Sequence, residues 1–388
     1  VNTNVMRNGS YRDANVTGLY WDITNKKNTY NYYGNLEGSW VIDGKTKFGT
    51  EALGGFAKVS GKHRLQSSVY LRTKDYNIND LGYTGRTNFI NFQGYYGYRY
   101  LQPKGNLNNM FLNFNLSHQR RLETDLFGYV NFNFNSSFTN TQFQSFGGGV
   151  EMSLFGENDF YEPRTAGRYL QVPMYFNPWV WYSSDFRKKL AFSSTLDYYA
   201  YDEKGRNKIV LDFYPRYRFS DRFSLEIGSQ ATFSNRETGF VGKDNGDVFI
   251  GTRNRYTVDS SITSKYAFNE KMTLNLSFRH YYSEVDYKNY NLLNQDGTLS
   301  KTSDFTENKN ATYNTWNIDV RYSWWFAPGS ELTLLYRNAI ESYIEESKFS
   351  FKNNFNNLFK EPMVNNFSLK LTYYINYNNA KNWLKKKS

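Results

Sequence analysis

Thr315-Trp316-Asn317-Ile318-Asp319-Val320-Arg321-Tyr322-Ser323-Trp324-Trp325-Phe326-Ala327-Pro328-Gly329-Ser330-Glu331-Leu332 is the stretch that decides the fold. Trp316, Ile318, Val320, Tyr322 and Trp324 hold one parity, and Thr315, Asn317, Asp319, Arg321 and Ser323 hold the other. A period of two puts successive side chains on opposite faces of a strand. The run covers ten positions, 315–324, before Ala327-Pro328-Gly329 closes it in a tight connection. Strands of soluble domains average about five to six residues. A tilted strand that crosses a bilayer needs about nine to eleven.

The same alternation recurs along the chain. Leu112, Phe114 and Leu116 oppose Asn113, Asn115 and Ser117, and Val130, Phe132, Phe134 and Phe138 oppose Tyr129, Asn131, Asn133 and Asn135. Ile209, Leu211, Phe213, Tyr217 and Phe219 oppose Lys208, Asp212, Arg216 and Arg218, while Leu225, Ile227, Ala231 and Phe233 oppose Glu226, Gln230 and Thr232. Leu274, Leu276 and Phe278 oppose Thr273, Asn275 and Arg279, and Phe367, Leu369, Leu371, Tyr373 and Ile375 close the set.

Composition agrees with strands. Tyr (35) and Phe (32) are abundant and Pro (7) is scarce, which favours pleated structure over helix. A hydrophobic share of 39% over 388 residues is too small to fill several ordinary cores, whereas a water-filled barrel needs none. The negative mean hydropathy is what alternating strands give, because only every second residue meets lipid. No run approaches 18 apolar residues, so a transmembrane helix is excluded. The absence of Cys removes disulfides and thiolate chemistry and favours an oxidising envelope compartment. The net charge of +11 is scattered rather than gathered into a nucleic-acid patch, and no nucleic-acid partner is expected.

Connections alternate between short and long. Ser220-Asp221, Asn269-Glu270 and Ala327-Pro328-Gly329 are tight, as at a periplasmic rim. Lys74 to Arg86, Phe155 to Arg168, Asp202 to Asn207, Gly242 to Asp247, Lys288 to Thr312 and Glu345 to Asn365 are longer and are expected outside the cell. This phase makes Ala14 to Thr24 a descending strand preceded by an ascending one at Val1 to Met6. The expected fold is an all-β, transmembrane antiparallel β-barrel of about eighteen strands, with sixteen as the alternative, forming a single domain over residues 1–388. Val1 starts without a leader, so for an exported protein the numbering is expected to begin inside the mature chain and its first strand.

Three segments resemble the C-terminal barrel of a Bacteroidota-type outer-membrane family. They are Asp75-Tyr76-Asn77-Ile78-Asn79-Asp80-Leu81-Gly82-Tyr83, then Phe278 to Tyr287 with Asn294-Gln295-Asp296-Gly297-Thr298-Leu299, and Trp324 to Ile340. Members of that family usually join an N-terminal carbohydrate-binding family 9-like module to a barrel of unknown function. The resemblance implies an outer-membrane barrel, with that glycan-binding module as a partner in the full-length protein and any glycan contact of the module outside these residues.

Candidate chemistry is sparse. His63, His118 and His280 lack a second ligand at metal spacing, and His280 shares parity with Leu276 and Phe278, as an interfacial aromatic would. No Gly-x-Ser-x-Gly elbow supports a hydrolase, and neither catalysis nor a cofactor is expected. Glu157, Asp159 and Glu162 cluster in one loop, and Lys243-Asp244-Asn245-Gly246-Asp247 reads better as a tight turn than as a calcium loop.

The polar parity carries more information. Arg216, Arg218, Arg279, Arg321 and Arg337, with Asp212 and Asp319, are the expected lumen-lining residues. An excess of arginine there favours anionic solutes, and cross-strand ion pairing that braces the wall is the alternative. Trp179, Trp181, Trp316, Trp324 and Trp325 are expected in the aromatic girdle at the membrane interfaces, with sugar stacking as the less common use. The expected function is a pore or transport component for small or anionic solutes, with glycan-related solutes included. A non-conducting anchor or scaffold within a larger outer-membrane assembly is the alternative. Outer-membrane lipid, lipopolysaccharide and other outer-membrane subunits are the expected partners.

Overall fold

Strand ends follow the turn chemistry in a computed structural model, which describes residues 1–9, 11–346, 351–377 and 381. Residues 347–350, within the last expected loop, lie outside the described residues. The strands are β1 (Asn2–Val5), β2 (Asp13–Thr24), β3 (Tyr30–Asp43), β4 (Lys45–Lys58), β5 (His63–Arg72), β6 (Phe89–Tyr100), β7 (Leu107–Arg121), β8 (Phe127–Asn140), β9 (Ser145–Asp159) and β10 (Leu170–Val172). They continue as β11 (Tyr175–Ser183), β12 (Leu190–Tyr201), β13 (Asn207–Ser220), β14 (Phe223–Asp244), β15 (Asp247–Asn269), β16 (Met272–Leu293), β17 (Leu299–Lys301), β18 (Ala311–Ala327), β19 (Ser330–Ile344) and β20 (Met363–Thr372). One helix, α1 (Phe351–Leu358), precedes β20 among the described residues.

All 20 strands join one antiparallel sheet. β10 and β17 are three-residue additions to β9 and β16, so 20 − 2 leaves eighteen strands in an unbroken meander, the number expected. β1 and β20 are its edges among the described residues, β1 pairing with β2 and β20 with β19. The turns at 221–222, 270–271 and 328–329 lie at one end of the strands, and the longer connections 73–88, 160–174, 294–310 and 345–362 lie at the other. Asn245 and Gly246, at φ 46° and 90°, make the tight turn of the β14–β15 hairpin, as their sequence suggests.

Register keeps the two parities apart. On one face Tyr96, Phe114, Phe134 and Val150 stand opposite one another across β6 to β9, and Leu196, Leu211 and Ala231 do so across β12 to β14. Many large apolar side chains of this face are exposed, among them Leu116, Leu211, Phe213 and Leu334. At its short-turn end runs a belt of rings. Tyr217, Phe219 and Phe223 are joined at 4.7 Å between centroids, Tyr266 packs on Phe268 at 4.8 Å, and Trp324 on Phe326 at 5.6 Å. The belt is built chiefly of Phe and Tyr.

The sheet curls about its polar face. Glu157 of β9 and Arg255 of β15 line one cavity of about 250 Å³ together with Lys208 and Glu237. In a flat sheet the five inter-strand steps from β9 to β15 would hold them about 24 Å apart. β10 repeats the evidence of curvature: Leu170 pairs with Asp159 of β9, while the adjacent Gln171 N–H donates to Gly297 O, in the turn after β16, at 2.9 Å.

The tips of β14 to β16 project past the other strands and are covered on both sides. Leu170 packs with Val248, Ile250 and Leu293 on one side, and Phe305 packs tilted against Phe249 and edge-on against Tyr290 on the other. Helix α1 lies on the apolar face of the sheet. Its Phe355 meets His280 at 5.0 Å and Trp316 at 5.9 Å, and Asn314 Nδ2 donates to Asn354 O at 3.0 Å.

Candidate functional site

On the concave polar face charged and aromatic side chains from many strands converge, and three sectors of it differ in chemistry. The first follows β13 to β19. Register places Asp212, Arg216, Arg218, Arg279, Asp319, Arg321 and Arg337 on this face, as their parity requires. Most of them are held. Arg279 is ion-paired to Asp259 of β15, and Arg337 grips Asp319 through two bonds of 2.7 and 2.8 Å. Gln230 donates to Asp212 at 2.8 Å, and the Arg216 guanidinium donates to the Phe186 carbonyl. Arg321, opposite Leu335, has Glu331 as its electrostatic neighbour. The wall is therefore braced by ion pairs. Asp259, absent from the sequence-derived set, offsets one of its arginines.

The second sector is made by β3 to β5 and the loop 73–88, which folds onto the concave face. A Cβ on Gly49 would come 2.0 Å from Tyr76 N, so only glycine lets the loop backbone lie on the wall here. Tyr76 is 2% exposed, and its hydroxyl donates to Glu37 at 2.6 Å. Burial first, then the Glu37 carboxylate, pushes the Tyr76 phenol well above its usual pKa. Asn77 N donates to Ser39 Oγ at 3.0 Å, and Arg72 Nε donates to Glu51 at 2.8 Å. The loop tip is tied to the β1–β2 connection, where Arg7 and Arg12 reach Asp80 at 2.8 and 3.1 Å. Burial works to raise the Asp80 pKa, but hydrogen bonds from Arg7 and Arg12 outweigh it and hold the carboxyl below its usual range.

The third sector, β9 to β13, carries the correction to the girdle expectation. Trp179 pairs with Gly149 and Asp197, and Trp181 with Gly147 and Thr195. Both indoles thus lie on the concave face with Glu151 and Asp197, while Phe176, Val180 and Tyr182 take the apolar side. The Tyr175 hydroxyl donates to Glu151 at 2.6 Å, and Lys208 Nζ sits 3.6 Å from the centre of the Tyr199 ring. Of the other expected girdle residues, Trp324 joins the aromatic belt, Trp316 lies beneath α1, and Trp325 is exposed at the short-turn rim beside Glu331.

His280 is buried on the apolar face under α1, with Asn314 Oδ1 2.7 Å from its Nε2. Glu157, Asp159 and Glu162, clustered in sequence, line the 250 Å³ cavity with Arg206, Lys208 and Arg255. No group of three or more His, Cys, Asp or Glu among the described residues is arranged to hold a metal ion.

The family model described as Domain of unknown function (DUF5916) matches residues 1–384. No curated protein matches the chain. Among solved structures, the siderophore receptor PirA from Acinetobacter baumannii is similar at 9% identity and a TM-score of 0.46, over 95% of this chain and 72% of that one.

Proposed function

The chain belongs to the family described as Domain of unknown function (DUF5916), whose description assigns no activity, and we propose that it is an outer-membrane β-barrel acting as a pore or transport component. One observation carries this reading: an eighteen-strand antiparallel meander with an exposed apolar face, belted by aromatic rings, and a concave face lined with charge. An apolar band edged by aromatics matches a bilayer and its interface. Closed sheets of sixteen to eighteen strands leave an aqueous channel. Lipid and lipopolysaccharide are then the partners of the outer face, and small solutes pass along the inner one.

The inward fold of residues 73–88 favours a second reading, in which the interior is blocked and the barrel anchors another subunit. Planar-bilayer conductance of the full-length protein separates the two. Discrete current steps support the pore, and their absence over a range of voltages supports the anchor.

A further inference from the structure

Trp179 and Trp181 sit where a role toward lipid gives no account of them. Both extend from β11 toward the interior, two residues and so about 7 Å apart. Each lies over a glycine of the neighbouring strand. A Cβ on Gly149 would come 2.8 Å from Trp179 Cζ2, and one on Gly147 would come 2.8 Å from Trp181 Nε1. The glycines leave room for the indoles at the wall, and each ring stays partly exposed on the concave side.

The row continues toward the loop end. Tyr175 follows on the same strand, with Tyr199 and Tyr201 at 5.9 and 5.8 Å between centroids. Carboxylates flank it: Glu151 accepts from Tyr175, and Asp197 stands opposite Trp179. Past Tyr201 the row opens into the 250 Å³ cavity.

A sugar ring presents two kinds of surface, a face of C–H groups that stacks on an aromatic ring and a rim of hydroxyl donors. This strip supplies the complement of both, since aromatic rings offer apolar area and carboxylates accept strong, charge-assisted hydrogen bonds. Lys208 and Arg206, over the Tyr199 and Tyr201 rings at 3.6 and 4.6 Å, offset Glu151 and Asp197, so the strip suits an uncharged ligand, and a row of rings rather than a single pocket suits a chain of sugars. We propose that the concave strip of Trp181, Trp179, Tyr175, Tyr199 and Tyr201, with Glu151 and Asp197, binds a linear neutral oligosaccharide. The route of that ligand rests on the transport reading above; its binding does not.

The test uses the full chain in detergent, titrated with maltohexaose, cellohexaose and chitohexaose by tryptophan fluorescence and calorimetry. Saturable binding of at least one is expected. Trp179→Ala and Trp181→Ala should each weaken it about tenfold or more, the scale of one lost stacking contact. Trp179→Phe should restore most of the loss. Leu334→Ala, on the exposed apolar face, should leave it unchanged. Failure of all three sugars to bind folded protein, or binding indifferent to both tryptophan substitutions, overturns the proposal. Conductance keeps the two readings distinct. Tryptophan-dependent binding without current steps removes the pore and keeps the strip, whereas a conducting barrel that binds none of the sugars removes the strip and keeps the pore.

Discussion

Arg337 holds Asp319 with both arms across the β18–β19 ladder, Nε to Oδ1 at 2.7 Å and Nη2 to Oδ2 at 2.8 Å. A guanidinium closed on a carboxylate contributes little net field to the space beside it. Asp319→Asn opens that fork and should shift the reversal potential under a salt gradient toward anions. The paired change Arg279→Gln with Arg321→Gln should shift it toward cations. Both effects should shrink between about 0.01 and 0.1 M salt, as the Debye length falls from about 30 Å to about 10 Å. Reversal potentials that ignore all three residues would mean that the ion pairs only brace the wall.

Acid should loosen the second sector. Asp80 titrates below its usual range because Arg7 and Arg12 favour its charged form, so its contribution is present above the ordinary carboxylate pKa of about 4 and is lost as pH falls through the lower folded value. Loop 73–88 should therefore become sensitive to protease as the pH drops below about 4. Asp80→Asn should produce the same sensitivity at neutral pH, measured by limited digestion and mass spectrometry. Unchanged cleavage would place the anchor of the loop elsewhere.

Tyr76→Phe removes the hydroxyl that Glu37 accepts and leaves the carboxylate without that donor. The cost should be about 1–3 kcal/mol, read in denaturant unfolding. Tyr76→Ala empties a fully packed position and should cost more, about 3–5 kcal/mol by analogy with buried aromatics. If the loop narrows a conducting interior, the Ala variant should also raise single-channel conductance.

Leu358, the fully buried last residue of α1, tests how the helix is held. Leu358→Ala should cost about 2–5 kcal/mol and lower the temperature at which the protein loses its heat-modifiable gel migration. Phe359→Ala, at a partly exposed ring, should cost less.

Faces and strand number were legible because a period of two is local: Ile209, Leu211 and Phe213 declare their side without knowledge of a partner strand. The tryptophans of β11 were not, because Tyr175-Phe176-Asn177-Pro178-Trp179-Val180-Trp181 is aromatic or apolar on both parities and Pro178 interrupts the pattern. Only the ladder to β9 decides, by setting the indoles over Gly147 and Gly149. That glycine run was the available sequence signal, since glycine inside a strand marks close approach by a neighbour. Asp259 escaped notice within Thr257-Val258-Asp259-Ser260-Ser261, where small polar residues blur the alternation. Helix α1 left a clearer trace in Phe351, Phe355 and Phe359, spaced by four.

The placement of α1 also constrains the order of assembly. The wall beneath it carries His280, Tyr282, Glu284 and Asn314 on the side otherwise given to apolar residues, and the helix supplies Asn354 to two of them, accepting from Asn314 and donating to the Tyr282 hydroxyl at 3.2 Å. Polar groups without partners are costly in hydrocarbon. Within the wall His280 and Asn314 bond at 2.7 Å and Tyr282 donates to Glu284 at 2.8 Å, and Asn354 of the helix completes this polar set from outside. Because α1 belongs to the connection between β19 and β20, the seating of the helix on this polar set is tied to the pairing of the last strand with β19.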